Sequence, residues 1–258
     1  MSCCPVTALP AVAGDASAIV SFTTEHNNIT LYVAAPPAGT VAKVGLLAFS
    51  DIFGLDSGRI KQDADNLAKL GYAVAVVDMT NGEYNSPEDL PGVIAWCIKH
   101  SFANVLSPAI QDAIAYLQSE YKSESFVSYG YCWGGWVGAY LSALPTPVIK
   151  GHVSFHPSWR IENMIFGDGA VEKLTERINV PQLLLSASDE PPYMHEDGSV
   201  IKILSDKPET SAHSNVVDFP DVFHGFVNRG EVEEREVEVA VKKAWAIALK
   251  FIQTVAAQ

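Results

Sequence analysis

Several stretches of this chain are apolar without alternation, among them 43–50 (KVGLLAFS), 72–79 (YAVAVVDM), 125–131 (SFVSYGY) and 180–188 (VPQLLLSAS). A strand with one wet face alternates polar and apolar residues, so unbroken runs of this length read as strands buried on both faces. Residues 148–155 (VIKGHVSF) read as a further strand, 29–36 as a half-buried alternating one, and 214–220 as the last. Helix-like segments lie between them. In 58–70, Ile60, Ala64, Leu67 and Ala68 share one face, and Asp56 or Ser57 is positioned to cap the helix. Ser86-Pro87 and Ser107-Pro108 each read as a helix start with proline in the first turn, the second helix running to about Tyr121. A closing helix is expected over 232–256, with Val237, Val241, Ala244, Trp245, Ala248, Ile252 and Val255 on one stripe. Strand and helix therefore alternate. The pattern predicts an α/β fold: a single domain with a mostly parallel central sheet covered by helices on both faces. That domain is expected over 21–258, after an N-terminal extension of residues 1–20.

The chain has 258 residues, enough for a sizeable core, and a net charge of −13. Such a surface repels nucleic acid and anionic membranes, so neither is expected as a partner, and it slows anionic substrates. No apolar run reaches 18 residues, so no transmembrane helix is expected. The first twenty residues carry no basic segment and contain Pro5 and Pro10, which reads as an ordinary start rather than a signal peptide. Cys3, Cys4, Cys97 and Cys132 fit no zinc spacing, and adjacent cysteines seldom bridge. A reducing, cytoplasmic setting without metal or cofactor is expected.

In parallel sheets ligands bind beyond the carboxyl ends of the strands. The residues to weigh are then 51–54, 79–83, 132–135, His156, Asp189 and His224. Residues 130–134, Gly-Tyr-Cys-Trp-Gly, leave a strand and enter the plausible helix GGWVGAYLSAL. A nucleophile on so sharp a turn takes a strained backbone, and the residues two away on either side must be small because main chains pack there. The helix N-terminus favours a thiolate at Cys132. The plainer alternative is a buried cysteine whose glycines serve packing alone. A thiol nucleophile needs a base, and the base an orienter. After later strands come Asp189, in SASDEPPY, and His224, in DVFHGFVNR. Glu190 rivals Asp189 as orienter, while Asp218 sits inside a strand pattern and Asp221 lies close to His224. His152 and His156 fall four apart on a strand, about 13 Å along it, too far to share a metal. His156 reads as structural, and His26, His100, His195 and His213 as surface residues. Phe53, Tyr84, Trp133, Trp136 and Tyr193 are candidate pocket walls.

Taken with FSDIFG at 49–54, this set resembles the dienelactone hydrolase (carboxymethylenebutenolidase) family, and its CC start and FGL loop are similar to the eukaryotic branch. The resemblance extends from about residue 21 to the closing helix. It implies a single-domain α/β-hydrolase fold and a catalytic triad of Cys132, Asp189 and His224. Further implications are an oxyanion hole built from the backbone N–H groups of Ile52 and Trp133, and a small-molecule ester or lactone substrate. Asp51 takes the place of a family glutamate that holds the resting thiol. Phe53 and Arg229 are placed to contact substrate, with Arg59 and Lys61 as further candidate cations. The expected reaction is hydrolysis through a thioester, by a monomer or homodimer. The competing expectation is a non-catalytic or redox-sensing protein of the same fold with a reactive thiol.

Overall fold

The computed structural model describes residues 20–86 and 92–258. Eight strands form one sheet: β1 (Val20–His26), β2 (Ile29–Ala35), β3 (Val44–Phe49), β4 (Ala73–Val77), β5 (Ser125–Tyr131), β6 (His152–Phe155), β7 (Gln182–Ala187) and β8 (Asn215–Phe219). Their order is β1-β2-β4-β3-β5-β6-β7-β8. From β4 to β8 every pairing is parallel, while β2 joins β4, and β1 joins β2, antiparallel. The mostly parallel sheet is thus as expected. The strand β1 leaves no apolar pattern because its sequence VSFTTEH is largely polar and lies at an edge where most positions are exposed.

The unbroken apolar runs are explained by two cores. On one face Leu47, Phe49, Ala75 and Val77 pack against α3 (Ser107–Tyr121) and α4 (Trp133–Ser142). On the other, Leu46, Ala48, Val74, Val76 and Val127 pack against α1 (Ile60–Lys69) and α10 (Arg235–Ala256). The remaining helices are α2 (Val93–Lys99), α5 (Arg160–Phe166), α6 (Ala170–Arg177), α7 (Ser199–Ser205), α8 (Pro208–Ser211) and α9 (Phe226–Arg229).

Local details depart from the sequence reading where a tertiary contact outweighs a local preference. Neither Asp56 nor Ser57 caps α1: Arg59 occupies the cap position, and the Ser57 hydroxyl is taken by Asp51. A π-helical turn at Phe102–Leu106 precedes the helix expected at Ser107. The helix start expected at Ser86-Pro87, and the Cys3-Cys4 pair, fall at or beyond the limits of the described residues. His100, read as a surface residue, is buried under the Trp96 ring and reaches the Trp96 carbonyl and Glu83. Among the described residues no single helix is long and apolar enough to cross a membrane.

One buried carboxyl links α1 to the end of β5. Asp63 sits on the buried face of α1 and accepts a hydrogen bond from the Tyr131 hydroxyl at 2.6 Å, with Arg59 nearby. Burial raises its pKa to about 7, against the opposing pull of Tyr131 and Arg59. Between about pH 4 and 7 the unfolded chain has released this proton and the folded chain still holds it, so the group makes stability fall as pH rises through that window. Three pH units at about 1.4 kcal/mol each amount to on the order of 4 kcal/mol. Asp63→Asn should flatten the pH dependence of urea unfolding across this range and raise stability at pH 8. Parallel curves for the two proteins would rule the assignment out.

Candidate active site

The chain leaves β5 at Tyr131 and enters α4 at Trp133, which puts the whole reversal on Cys132. Its φ of +54° and ψ of −114° are a conformation that a residue with a Cβ rarely adopts. Three backbone bonds hold it. The Cys132 N–H donates to Phe155 at 3.1 Å, and its carbonyl accepts from Gly135 at 3.1 Å and Ser158 at 2.9 Å. The flanking glycines are required by contact. A Cβ on Gly130 would lie 2.3 Å from the Gly134 carbonyl oxygen, and one on Gly134 would lie 2.3 Å from that of Phe49. The second contact seats the elbow against the end of β3, beside the loop that carries Asp51 and Ile52. Trp133 opens α4, so its N–H is among those with no acceptor within the helix.

His224 comes from the turn between β8 and α9, and it is buried. Its Nδ1 lies 2.5 Å from Glu190 Oε1. A carboxylate there accepts, so Nδ1 donates and Nε2 is left as the basic nitrogen. Glu190 also accepts from Arg160 at 2.9 Å through its other oxygen. Asp189, the orienter expected from chain order, instead accepts from the backbone N–H of His224 at 2.7 Å. The structure therefore corrects that expectation: Glu190 contacts the ring and Asp189 fixes the main chain that carries it. The turn in which the Glu190 N–H donates to Ala187 decides which of the two side chains faces inward. His195 supports the same loop. Its ring reaches the Glu190 carbonyl at 3.0 Å and Asp218 at 2.8 Å, and these bonds raise its pKa although burial opposes them.

Ser158, which the sequence reading does not single out, lies between Cys132 and His224. Its hydroxyl is 3.2 Å from Cys132 Sγ and 3.5 Å from His224 Nε2. The only sequence signal was its place just past the end of β6. His156 is buried, as expected, and stands edge-on to the His224 ring at 4.9 Å. His152 lies within β6 against Ser128, and burial lowers its pKa to about 3, so it stays neutral.

The residues expected to hold the thiol or the substrate contact one another and their own loops. Asp51 Oδ1 accepts from the Phe53 N–H, and Oδ2 accepts from Ser57 and Asn228 at 2.7 and 2.9 Å. Burial raises its pKa against these bonds. Arg229 is 2% exposed, lies 3.9 Å from Asp51 and stacks on the Phe53 ring at 4.1 Å. Arg59 donates to the carbonyls of Phe226, Val227 and Gly230, and Lys61 pairs with Asp56. Of the candidate pocket walls, Trp133 is sunk in the core, Trp136 donates to Glu162, and Tyr84 donates to Asp78. Among the described residues no cluster of three or more His, Cys, Asp or Glu is arranged to hold a metal.

A family model described as the dienelactone hydrolase family matches residues 29–256. An uncharacterised AIM2 family protein of Schizosaccharomyces pombe is 28% identical over 245 residues, spanning 88% of this chain and 87% of its own length. The hydrolase tropI of Talaromyces stipitatus is 24% identical over 234 residues, spanning 87% and 86%. Among solved structures, a dienelactone hydrolase-like promiscuous phosphotriesterase from metagenomic libraries superposes with a TM-score of 0.67 at 17% identity, covering 93% of this chain and 99% of that one. Est1E of Butyrivibrio proteoclasticus, solved with ferulic acid, gives 0.61 at 14% identity, covering 90% and 99%. These likenesses establish the α/β-hydrolase fold.

Proposed function

Since the chain belongs to the dienelactone hydrolase family and is a hydrolase, we propose that it cleaves an uncharged carboxylic ester or lactone through a thioester on Cys132. The observation that carries this reading is the cysteine on its strained elbow, with His224 brought beside it by way of Ser158 and steadied by Glu190. The thiolate attacks the carbonyl carbon while His224 holds the proton. The N–H groups of Ile52 and Trp133 receive the oxyanion, a contribution worth about 10²–10³ in rate per donor in comparable sites. The imidazolium protonates the leaving alcohol, and water then adds to the thioester with His224 as base. Every part is a side chain or amide of this chain, so the reaction runs without a cofactor. A small-molecule substrate and a cytoplasmic setting complete the proposal.

The preference for a neutral substrate rests on where the cations go. Arg160 is held by Glu190, Arg229 by Asp51 and the Phe53 ring, and the net charge of −13 opposes an incoming carboxylate. A matched pair of aryl esters, one neutral and one with a terminal carboxylate on the acyl chain, tests this. We expect kcat/KM to favour the neutral ester by at least about tenfold, and the gap to narrow with added salt. A preference for the charged ester would overturn the substrate class.

A further inference from the structure

Ser158 is fully buried, and its main chain is tied to the elbow itself: its N–H donates to the Cys132 carbonyl at 2.9 Å, and its own carbonyl accepts from Ile161 at 3.1 Å. Its hydroxyl is thereby fixed near both Cys132 Sγ and His224 Nε2. A hydroxyl can give one proton and accept another at the same time. With Nδ1 of His224 committed to Glu190, Nε2 is the nitrogen turned to this hydroxyl. Asp51, whose position in the family resemblance belongs to a thiol-holding carboxylate, has its oxygens on Ser57, Asn228 and the Phe53 amide.

We propose that Ser158 is a catalytic residue that relays the proton between Cys132 and His224 and holds the resting thiolate. This deepens the proposed function and rests on its cysteine nucleophile. In the relay the S–H bond breaks and its proton passes to Ser158 Oγ, while the hydroxyl's own proton passes to Nε2. The products are a thiolate and an imidazolium, the serine ends neutral, and nothing is oxidised or reduced. In the charged state the imidazolium N–H donates to Oγ, and the hydroxyl donates to the sulfur. Hydrogen bonds to an ionised partner are the strong ones, so removing this donor disfavours the thiolate.

The test is the pH profile of Cys132 alkylation by iodoacetamide, followed on the Cys132 peptide in wild type, Ser158→Ala and Ser158→Thr, with thermal unfolding to verify that each variant folds. Ser158→Ala should move the midpoint up by about one pH unit, a tenfold loss of thiolate at a given pH, and lower ester turnover by at least about tenfold. Ser158→Thr, which keeps the hydroxyl, should return the profile to that of wild type. A profile unmoved in folded Ser158→Ala, or moved equally in both variants, would overturn the relay. Alkylation consumes no ester, so a wild type that failed to cleave any ester would overturn the reaction and leave the relay to be decided by the profile.

Discussion

Glu190→Gln is expected to lower kcat by about 10³–10⁴ on a neutral aryl ester, whereas Asp189→Asn should stay within about tenfold of wild type. The asymmetry follows from what each carboxylate touches. Glu190 accepts from His224 Nδ1 and so fixes the tautomer that leaves Nε2 basic; it also carries the charge that stabilises the imidazolium formed during attack. An amide carries no such charge and offers an NH₂ that competes for the ring nitrogen, which favours the wrong tautomer. The same change removes the partner of Arg160 and leaves that guanidinium beside a neutral group. Asp189 accepts from a backbone N–H, and an asparagine carbonyl oxygen still accepts there, more weakly, so the change loosens the loop without touching the ring. Steady-state kinetics of both variants, with unfolding temperatures to exclude loss of fold, decide the matter. Should Asp189→Asn prove the more damaging, the orienting role would return to Asp189.

The elements were legible because burial on two faces leaves so plain a trace. Residues 125–131 became β5 without change, and 43–50, 72–79 and 180–188 became β3, β4 and β7 with ends shifted by one or two residues. The strand β1 was not legible, since an exposed edge strand needs no apolar pattern and this one reads VSFTTEH. The elbow could be read because its glycines answer a steric demand: only hydrogen fits where Gly130 faces the Gly134 carbonyl and Gly134 faces that of Phe49. Which carboxylate reaches the His224 ring could not be read, because Asp189 and Glu190 stand side by side on one turn and the backbone decides which faces in. Ser158 left even less signal. A serine past a strand end is common, and only the fold brings it between a sulfur and an imidazole. Arg229 shows the converse. The family resemblance implies a substrate contact for it, and only the fold reveals that its guanidinium stacks on the Phe53 ring.

Cys132→Ala should fold like wild type, since trading a buried thiol for a methyl costs little, yet lose at least about 10⁴ of kcat because the sulfur on which the proposed covalent intermediate forms is gone. Its +54° φ persists in the variant, as the three backbone bonds at residue 132 do not involve the side chain. The central claim is that this sulfur carries the acyl group, and rapid-quench peptide mass spectrometry after mixing with an aryl ester reads it directly. The account predicts an acyl mass on the Cys132 peptide of the wild type, none in Cys132→Ala, and the matching loss of turnover. Turnover surviving in the alanine variant at the wild-type rate, with no acyl group found on Cys132, would contradict it.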